Sequence, residues 1–330
     1  MTALAATGSD VFETMQRAFD GVHTWLFETA VQPLVYQFGW MAYLEDAYGA
    51  TEWFLLGLLQ VAVLYLLLRP LEARFPAEPW RDRRGIGVDV LYTLLHRLGV
   101  MPLAAFLVLT PVFDQLTQVL RALGFTPLAL DSLWPGVTDV ALVSFLLYLV
   151  VLDGVDYWLH RAQHRFRWWW GLHALHHSQQ KMSFWADNRN HLLDDLIIDA
   201  VKASVALFIG VEPAQFVMLV IVTRSIESLQ HANLASGLGP LGRVVVSPLF
   251  HRRHHAIGIG HEGRHQGCNF AVLFPVWDLI FGTADFRPTV EPTGIRDQLP
   301  APAGRGRDYG RGFWAQQWLG LKRMAGMENA

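Results

Sequence analysis

The sequence of 330 residues is 52% hydrophobic and only 17% charged, with a formal net charge of −3. Soluble domains carry about 25% charged residues, so this composition favours a membrane protein. The charge balance gives no reason to expect a nucleic-acid partner, and the single cysteine, Cys268, excludes a disulfide framework and most cysteine-based metal sites. The 14 histidines are unevenly spread along the chain and are its most distinctive residues.

Long apolar runs in the first half of the chain predict transmembrane helices. A helix needs about 20 predominantly apolar residues to cross the hydrocarbon layer. The clearest run, at 53–68, contains no charge, and a second lies at 98–113. A third run at 140–151 continues into Asp153 and Asp156, so the predicted helix ends in polar sequence.

Two shorter apolar runs follow at 196–210 and 213–222, separated by Gly210 and Pro213. They predict a hairpin that either spans the membrane or only dips into it. The expected fold is therefore all-α: a polytopic membrane bundle of about four spans, or of two spans plus a re-entrant hairpin. A cytoplasmic helical dome is expected to hold the histidines.

The orientation follows from the arginines near the ends of the predicted spans, because cytoplasmic loops carry an excess of lysine and arginine. The segment 69–97 between the first two spans is arginine-rich, whereas 1–52 and 114–139 hold one arginine each. The segment 69–97 is therefore predicted to be cytoplasmic. The third span then brings the histidine motifs to the same side. The arginines of this segment are Arg69, Arg74, Arg81, Arg83, Arg84 and Arg97.

Three short motifs concentrate the histidines: HRAQH at 160–164, HALHH at 173–177 and HRRHH at 251–255. On a helix, residues at i, i+3 and i+4 lie on one face with Cβ atoms about 5–6 Å apart, so one helix can offer several imidazoles to one centre. Eight protonated histidines packed together would repel one another, which makes a metal site a better interpretation than a pH switch.

Imidazole ligands suit iron, zinc and copper, and eight clustered histidines are too many for one ion but suit two. A pair of ions serves either dioxygen activation or two-metal hydrolysis. Hydrolytic pairs usually include bridging carboxylates, whereas the acidic residues here flank the motifs. The pattern thus favours oxygen chemistry and leaves a two-metal membrane hydrolase as the alternative. A metal or proton transporter is less favoured, because the motifs lie beyond the span ends among arginines.

Five motifs in a fixed order cover roughly residues 140–285 and resemble the fatty acid hydroxylase/sterol desaturase superfamily. They are DGVDYWLHRAQH at 153–164, HALHH at 173–177, QHAN at 230–233, PLFHRRHH at 248–255, and NFA at 269–271 followed by WDLIFGT at 277–283. On this basis the chain divides into an N-terminal membrane region (1–135), a catalytic domain (136–285) and a C-terminal tail (286–330).

The resemblance implies an integral-membrane enzyme with a non-haem di-iron centre (Fe2+/Fe3+) that uses dioxygen and two electrons to hydroxylate or desaturate a lipid. The electrons would come from a separate protein of the ferredoxin or cytochrome type with an NAD(P)H reductase, because the sequence has no haem, flavin or ferredoxin signature. The implied ligands, which are also the catalytic residues, are His160, His164, His173, His176, His177, His231, His251, His254 and His255.

Two further residues leave alternatives open. Glu227 stands four residues before His231, where some members of the superfamily have a histidine, and is either a metal ligand, an acceptor for a ligand or a membrane-buried acid. His191 lies in an Arg-x-His segment after the second motif, but Leu192 replaces the usual proline. It is either a tenth ligand, a donor to the substrate or a surface residue.

Three acids are predicted to orient the ligands, because metal-bound histidines normally donate their other ring N–H to a carboxylate or carbonyl. Asp153 and Asp156 precede His160 by seven and four residues and share its helical face. Asp278 follows Trp277 in the last motif. Acids at the membrane interface are costly and are usually kept for a function.

Overall fold

The computed structural model describes residues 2–79, 85–300 and 306–327, and side chains within these ranges from residue 10 onward. Helices make up 67% of the fold, and the described residues form no strand, which confirms the predicted all-α class. Three of the arginines used to predict the orientation, Arg81, Arg83 and Arg84, lie outside the described residues.

The helices of the described residues are numbered α1–α12 in chain order. They are α1 (Thr2–Leu26), α2 (Gln32–Gln37), α3 (Leu44–Arg74), α4 (Ile86–Arg97), α5 (Val100–Ala122), α6 (Ala141–Arg165), α7 (Arg167–His177), α8 (Leu192–Ile209), α9 (Pro213–His231), α10 (Pro248–His254), α11 (Val276–Phe281) and α12 (Phe313–Met324). A π-helical turn, Phe27–Val31, joins α1 to α2, and short 3-10 helices lie at Met41–Tyr43, Leu130–Ser132, Gly239–Arg243 and Arg296–Gln298.

Three of the described helices are long and apolar enough to cross a membrane: α3 with its preceding turn (Met41–Arg74), α5 and α6. They contain or overlap the runs predicted at 53–68, 98–113 and 140–151. None of the most apolar stretch of α5 is buried inside the protein, against 44% of that of α6. Large exposed apolar surfaces of this kind suit contact with lipid. The structure therefore supports a membrane protein.

The predicted hairpin forms α8 and α9, and neither helix qualifies as a span by the same measure. The reason is visible in the sequence of the pair, which carries Asp194, Asp195, Lys202, Arg224 and Glu227 within otherwise apolar helices. The described residues therefore offer three candidate spans rather than four or two.

Residues 1–63 and 95–104 form one of two compact units. Within this unit α3 approaches the C-terminal end of α4 closely at Gly57, where a Cβ atom would collide with the carbonyl oxygen of Arg97. The Arg97 guanidinium donates to Gln60 Oε1 over 3.0 Å. The His23 ring packs on Tyr48 and contacts its carbonyl oxygen at 2.9 Å.

The second unit comprises residues 64–94 and 105–330 and contains all the histidine motifs. Its apolar core lies between α6 and α9, where Leu149 and Leu152 are buried with Leu219 and Leu273. The burial of these side chains from separate segments fixes the C-terminal half of α6 beside the later motifs.

Helix α12, at the end of the tail, packs against α7, which carries the second histidine motif. Gly171 allows the close approach of α7 and α12, and Gly320 allows α12 to approach His191 before α8. A Cβ atom on Gly171 would lie 2.6 Å from the backbone nitrogen of Met324, and one on Gly320 would lie 2.3 Å from the His191 ring. The C-terminal tail therefore holds α7 in place.

We expect the Gly171→Ala substitution to destabilise this unit by about 1–3 kcal/mol, the usual cost of an extra methyl group in a closely packed contact. The clash is with backbone atoms of α12, which cannot rotate away. Thermal unfolding in detergent should report a lower melting temperature. Gly21→Ala on α1 is the matched control, because its Cβ position is open and alanine favours a helix. An unchanged melting temperature for Gly171→Ala would contradict the close contact.

Candidate metal centre

Four helices bring the histidines of the motifs together. His160 and His164 lie one turn apart on α6, and the HALHH motif forms the last two turns of α7. His231 is the last residue of α9, and α10 carries HRRHH, with His255 directly after its end. All nine rings predicted as ligands are buried.

The nine rings form two groups, in each of which one ring nitrogen per residue lies within 4.8 Å of the others. The five-histidine group consists of His160, His164, His173, His177 and His254, and the four-histidine group consists of His176, His231, His251 and His255. Helices α7 and α10 each contribute histidines to both groups, so the same two helices hold both groups in position. The structure thus brings together every histidine that the resemblance implies as a ligand.

One loop orients three rings of the five-histidine group through its carbonyl oxygens. His160 Nδ1 lies 2.8 Å from the Phe270 oxygen, His164 Nδ1 lies 3.2 Å from the Gln266 oxygen, and His254 Nδ1 lies 2.7 Å from the Cys268 oxygen. A carbonyl oxygen can only accept a hydrogen bond, so Nδ1 must hold the proton of each neutral ring. The Nε2 atoms of these rings therefore carry lone pairs that are free to bind a cation.

The donor atoms of the five-histidine group fit a metal ion. His177 Nε2 lies 3.1 Å from both His164 Nε2 and His254 Nε2. Those two atoms carry lone pairs, and His177 can offer at most one proton, so protons alone cannot satisfy the contact. His160 Nε2 and His173 Nε2 are buried without a hydrogen-bond partner among the described residues. A single cation accepts all five lone pairs.

The four-histidine group fits a second ion for the same reason. His231 Nδ1 donates to the Glu227 carbonyl oxygen over 2.9 Å, which leaves a lone pair on Nε2. That atom lies 3.2 Å from His176 Nε2 and 3.0 Å from His251 Nε2, and His251 Nε2 is also 3.1 Å from His255 Nε2. Both groups consist of neutral nitrogen donors, a set that suits iron, zinc or copper.

Burial keeps the rings neutral, which is the form that binds a metal. It lowers the pKa of five histidines outside the candidate spans well below the usual 6.5, and neighbouring imidazoles add to the effect: His176, His177, His251, His254 and His255. A buried cluster that resists protonation is suited to metal binding and unsuited to a pH switch near neutrality.

No sequence motif marks the carboxylate that contacts a histidine of the five-histidine group. Asp194 Oδ2 lies 3.2 Å from His173 Nδ1, and the same carboxylate accepts from Gln163 Nε2 at 2.8 Å and from Trp169 Nε1 at 2.6 Å. This arrangement directs His173 Nε2 into the group. Asp194 stands 21 residues from His173 in sequence, and only the packing of α8 against α7 makes the pair visible.

The three acids predicted to orient the ligands have other partners. Asp153 accepts from the backbone nitrogens of Leu273 and Phe274 and from Trp277 Nε1, and Asp156 pairs with Lys202 at 2.8 Å. Both acids therefore hold neighbouring segments together.

Asp278 supports the histidine ligand His160 indirectly, through the loop that contacts its ring. It accepts from the backbone nitrogens of Phe270 and Ala271 at 2.9 and 2.8 Å and from the Thr283 hydroxyl. Since the Phe270 carbonyl oxygen in turn faces His160 Nδ1, Asp278 supports the loop that orients the ring.

His191 and Glu227 do not belong to either histidine group. Both nitrogens of the His191 ring contact backbone: Nδ1 accepts from Leu193 at the start of α8, and Nε2 lies 2.8 Å from the Gln317 oxygen. Glu227 pairs with Arg224 over 3.2 Å. The structure thus places His191 as a helix cap that contacts α12, and Glu227 in the wall of a cavity beside the histidines.

This cavity has a volume of about 100 Å3 and is lined by residues of both groups, including His160, His173, His176, His231 and His251. Its other walls come chiefly from α6, α8 and α9. A small molecule in it would lie directly against the ring nitrogens, so it is the candidate place for the reacting part of a substrate.

Comparison with known proteins identifies the family. Residues 145–283, within the predicted catalytic domain 136–285, match the model of the fatty acid hydroxylase family. The domain of this chain that contains the histidine motifs therefore belongs to the fatty acid hydroxylase family. The match contains all nine histidines of the two groups together with Asp194, so the buried centre of this structure lies within the matched region.

Individual relatives agree with this placement. The chain is 28% identical over 236 residues to the ornithine lipid hydroxylase OlsE of Rhizobium tropici. The aligned region covers 71% of this chain and 67% of OlsE. It is 30% identical over 156 residues to the alkylglycerol monooxygenase of Caenorhabditis elegans and 30% identical over 136 residues to that of Homo sapiens. The two aligned regions cover 46% and 39% of this chain, but only 27% and 28% of the two monooxygenases. No solved structure matches the chain significantly.

Hydroxylases and monooxygenases are oxidoreductases, so these relatives confirm the predicted class of enzyme. The chain spans about two thirds of the length of OlsE and less than a third of the alkylglycerol monooxygenases.

Proposed function

We propose that the protein is a membrane-bound lipid hydroxylase with a pair of iron ions in its two histidine groups. The observation that carries the proposal is the convergence of nine buried imidazoles into two groups, in a domain similar to lipid-oxidising enzymes. The apolar helices α3, α5 and α6 support a location in the membrane, where a lipid substrate is found.

The residues of the chain would bind the ions, and they orient the ligand rings and shield them from water. The five-histidine group would hold one ion and the four-histidine group the other. Asp194 and the carbonyl oxygens of the 266–270 loop fix the rings so that their lone pairs point inward. Burial of the rings limits the access of bulk water to the ligands and so limits the loss of oxidising equivalents to side reactions.

When bound, the iron pair supplies the redox chemistry of dioxygen activation. In the overall reaction a C–H bond and dioxygen, with two electrons and two protons, give a C–OH bond and water. The electrons must come from outside the chain, and we propose a ferredoxin-type or cytochrome-type donor with an NAD(P)H reductase.

Hydroxylation is favoured over desaturation because the relatives are a hydroxylase and monooxygenases. Their names refer to two different lipids, ornithine lipid and alkylglycerol, so they support a membrane lipid as substrate without choosing between lipid types. The cytoplasmic location of the centre remains our proposal and rests on the arginines beside the predicted spans.

A two-metal hydrolase is the rival function. Such sites usually contain a carboxylate that bridges the ions and lowers their charge. The two groups found among the described residues contain only histidines. Because these groups lack the bridging carboxylate of a hydrolytic pair, they favour dioxygen activation over hydrolysis.

The test is the metal content and Mössbauer spectrum of the protein purified in mild detergent, followed by a lipid oxidation assay with dioxygen and reductant. We expect about two irons per chain, one for each histidine group, with a coupled di-iron signal. Stoichiometric zinc or manganese, with no uptake of iron on anaerobic reconstitution, would overturn the proposal and favour the hydrolase.

A further inference from the structure

Trp170 of α7 lies between two ligand rings and a surface loop. Its ring centroid is 5.0 Å from that of His164 and 5.2 Å from that of His177, two residues of the five-histidine group. The same ring stacks on His261, with centroids 4.8 Å apart and planes 19° apart. His261 belongs to neither histidine group. The stacked pair therefore continues the cluster of ligand rings toward the loop.

The loop that carries His261 reaches the surface close to the ligands. The His261 side chain is 14% exposed, and Arg264 in the same loop is exposed. A Cβ atom on Gly260 would collide with the carbonyl oxygen of His254, so the loop lies directly against a residue of the five-histidine group. Two ring contacts thus lead from the surface to a ligand.

A second chain of aromatic rings also joins a ligand to the surface, but it is longer. It runs from His160 through Phe270 and Tyr157 to Trp158, with centroid distances of 5.9, 6.3 and 5.5 Å. Each of these distances exceeds those on the route through Trp170, and the chain ends on the candidate span α6. Because the rate of electron tunnelling falls exponentially with distance, the route through Trp170 is the faster one.

The route through Trp170 reaches the centre by ligands that do not line the cavity. The cavity is lined by three histidines of the four-histidine group and by His160 and His173, whereas His164, His177 and Trp170 are absent from its lining. A protein bound at the loop therefore leaves the cavity open to a lipid. Electrons and substrate can reach the centre separately.

The surface around His261 is positively charged. We define the loop face as residues 261–265, Arg161 and Arg296. An Arg161 nitrogen lies 3.5 Å from His265 Nδ1, and Arg296 pairs with Glu262 over 2.7 Å. The loop face thus contains three arginines, counting Arg264, and one acid. Such a surface does not belong in hydrocarbon, and it attracts a protein of negative charge.

We infer that the loop face is the docking site of an acidic one-electron carrier protein, and that its electrons reach the five-histidine group across His261 and Trp170. In each encounter the carrier is oxidised by one electron and a ferric ion is reduced to a ferrous ion. Two encounters supply the two electrons of the reaction. The electron tunnels across the tryptophan and does not reside on it. This inference rests on the proposed function, because it assigns the partner of the same centre.

The first test measures docking. The diferric protein in detergent is mixed anaerobically with a reduced, acidic plant-type [2Fe–2S] ferredoxin, and stopped-flow absorbance follows the oxidation of the ferredoxin. Arg264→Glu should slow the second-order reaction about tenfold at low salt, since charge steering commonly changes association rates by at least this factor. The difference should disappear at high ionic strength.

Arg121→Glu is the matched control for docking. Arg121 is exposed at the end of α5, and the chain just after it, at Leu128, pairs with the Phe208 oxygen at the end of α8 farthest from His191. The length of α8 places this site about 25 Å from the start of that helix. This variant should react with the ferredoxin as the unaltered protein does.

The second test measures transfer at saturating ferredoxin, where docking no longer limits the rate. Trp170→Leu and His261→Leu should each slow reduction severalfold, whereas Trp170→Phe, which keeps an aromatic ring, should retain most of the rate. Iron content, the Mössbauer spectrum and the rate of reduction by dithionite should stay unchanged. Trp168→Leu is the matched control, because Trp168 is exposed on the same helix and stacks on Trp169.

An unchanged ferredoxin rate in Arg264→Glu at low salt would overturn the docking site. Equal slowing by ferredoxin and dithionite in the two leucine variants would overturn the route, because the substitutions would then have altered the ions themselves. If Trp170→Leu loses iron, His261→Leu decides, since His261 lies one ring farther from the ions. Failure of the proposed function is distinguishable, because it appears as absence of iron from the unaltered protein.

Discussion

Replacement of His177 with alanine is expected to abolish lipid hydroxylation and to leave about one metal ion per chain, from the four-histidine group. His177 Nε2 is the atom of the five-histidine group that contacts both His164 and His254, at 3.1 Å in each case. Its ring also stacks on His255, with centroids 4.4 Å apart. Because loss of residues that merely support a ligand costs about 10–100-fold in metal affinity or activity, loss of this ligand should cost at least that.

Metal analysis by mass spectrometry and product analysis with a lipid substrate check this prediction. His265→Ala is the control, because His265 lies in the glycine-rich loop outside both groups, where its ring contacts Arg161 at 3.5 Å. It should retain both ions. If His177→Ala keeps two ions and full activity, the assignment of His177 as a ligand is wrong.

The sequence predicted the spans through hydropathy alone, and this explains where it succeeded and where it did not. The run at 53–68 found the apolar centre of a candidate span that extends over Met41–Arg74. It missed the ends of the helix because Glu45, Asp46 and Arg69 interrupt the apolar pattern without interrupting the backbone hydrogen bonds. Helices α8 and α9 remained ambiguous because their polar residues face the cavity.

Eight of the nine histidines could be predicted because their spacing along helices records which residues share a face, whereas His231 was identified only through the QHAN motif of the family resemblance. The contacts that orient the histidine rings could not be predicted from the sequence. His164 and the loop carbonyl of Gln266 are separated by 102 residues, and any residue type supplies a carbonyl oxygen, so no sequence signal marks that contact.

The acids illustrate the same limit. Asp153 and His160 are close in sequence and share a helix, yet the Asp153 carboxylate faces Leu273, Phe274 and Trp277. Spacing along one helix identifies neighbours on that helix, but it does not determine which other element packs against each face. The carboxylate on His173 came from α8, because that helix packs against α7.

Asp194→Asn is expected to weaken metal binding in the five-histidine group by about 10–100-fold, the usual effect of removing the carboxylate behind a ligating histidine. The buried Asp194 carboxylate accepts from His173 Nδ1, Gln163 Nε2 and Trp169 Nε1. Asparagine has one side-chain oxygen in place of two, so at least one donor loses its partner. If that donor is His173, the proton can move to Nε2 and block the lone pair that binds the ion.

Competition with a chelator measures this loss directly, because one of the two ions should be released at a lower chelator concentration than in the unaltered protein. Asp195→Asn is the matched control, since it removes the same charge at the next position of α8, away from the carboxylate on which His173, Gln163 and Trp169 converge. It should release both ions as the unaltered protein does. Equal chelator sensitivity of the two variants would mean that charge in the cavity, rather than the orientation of His173, determines metal affinity. Selective loss of one ion from Asp194→Asn alone would show that the carboxylate acts through the position of a single ring.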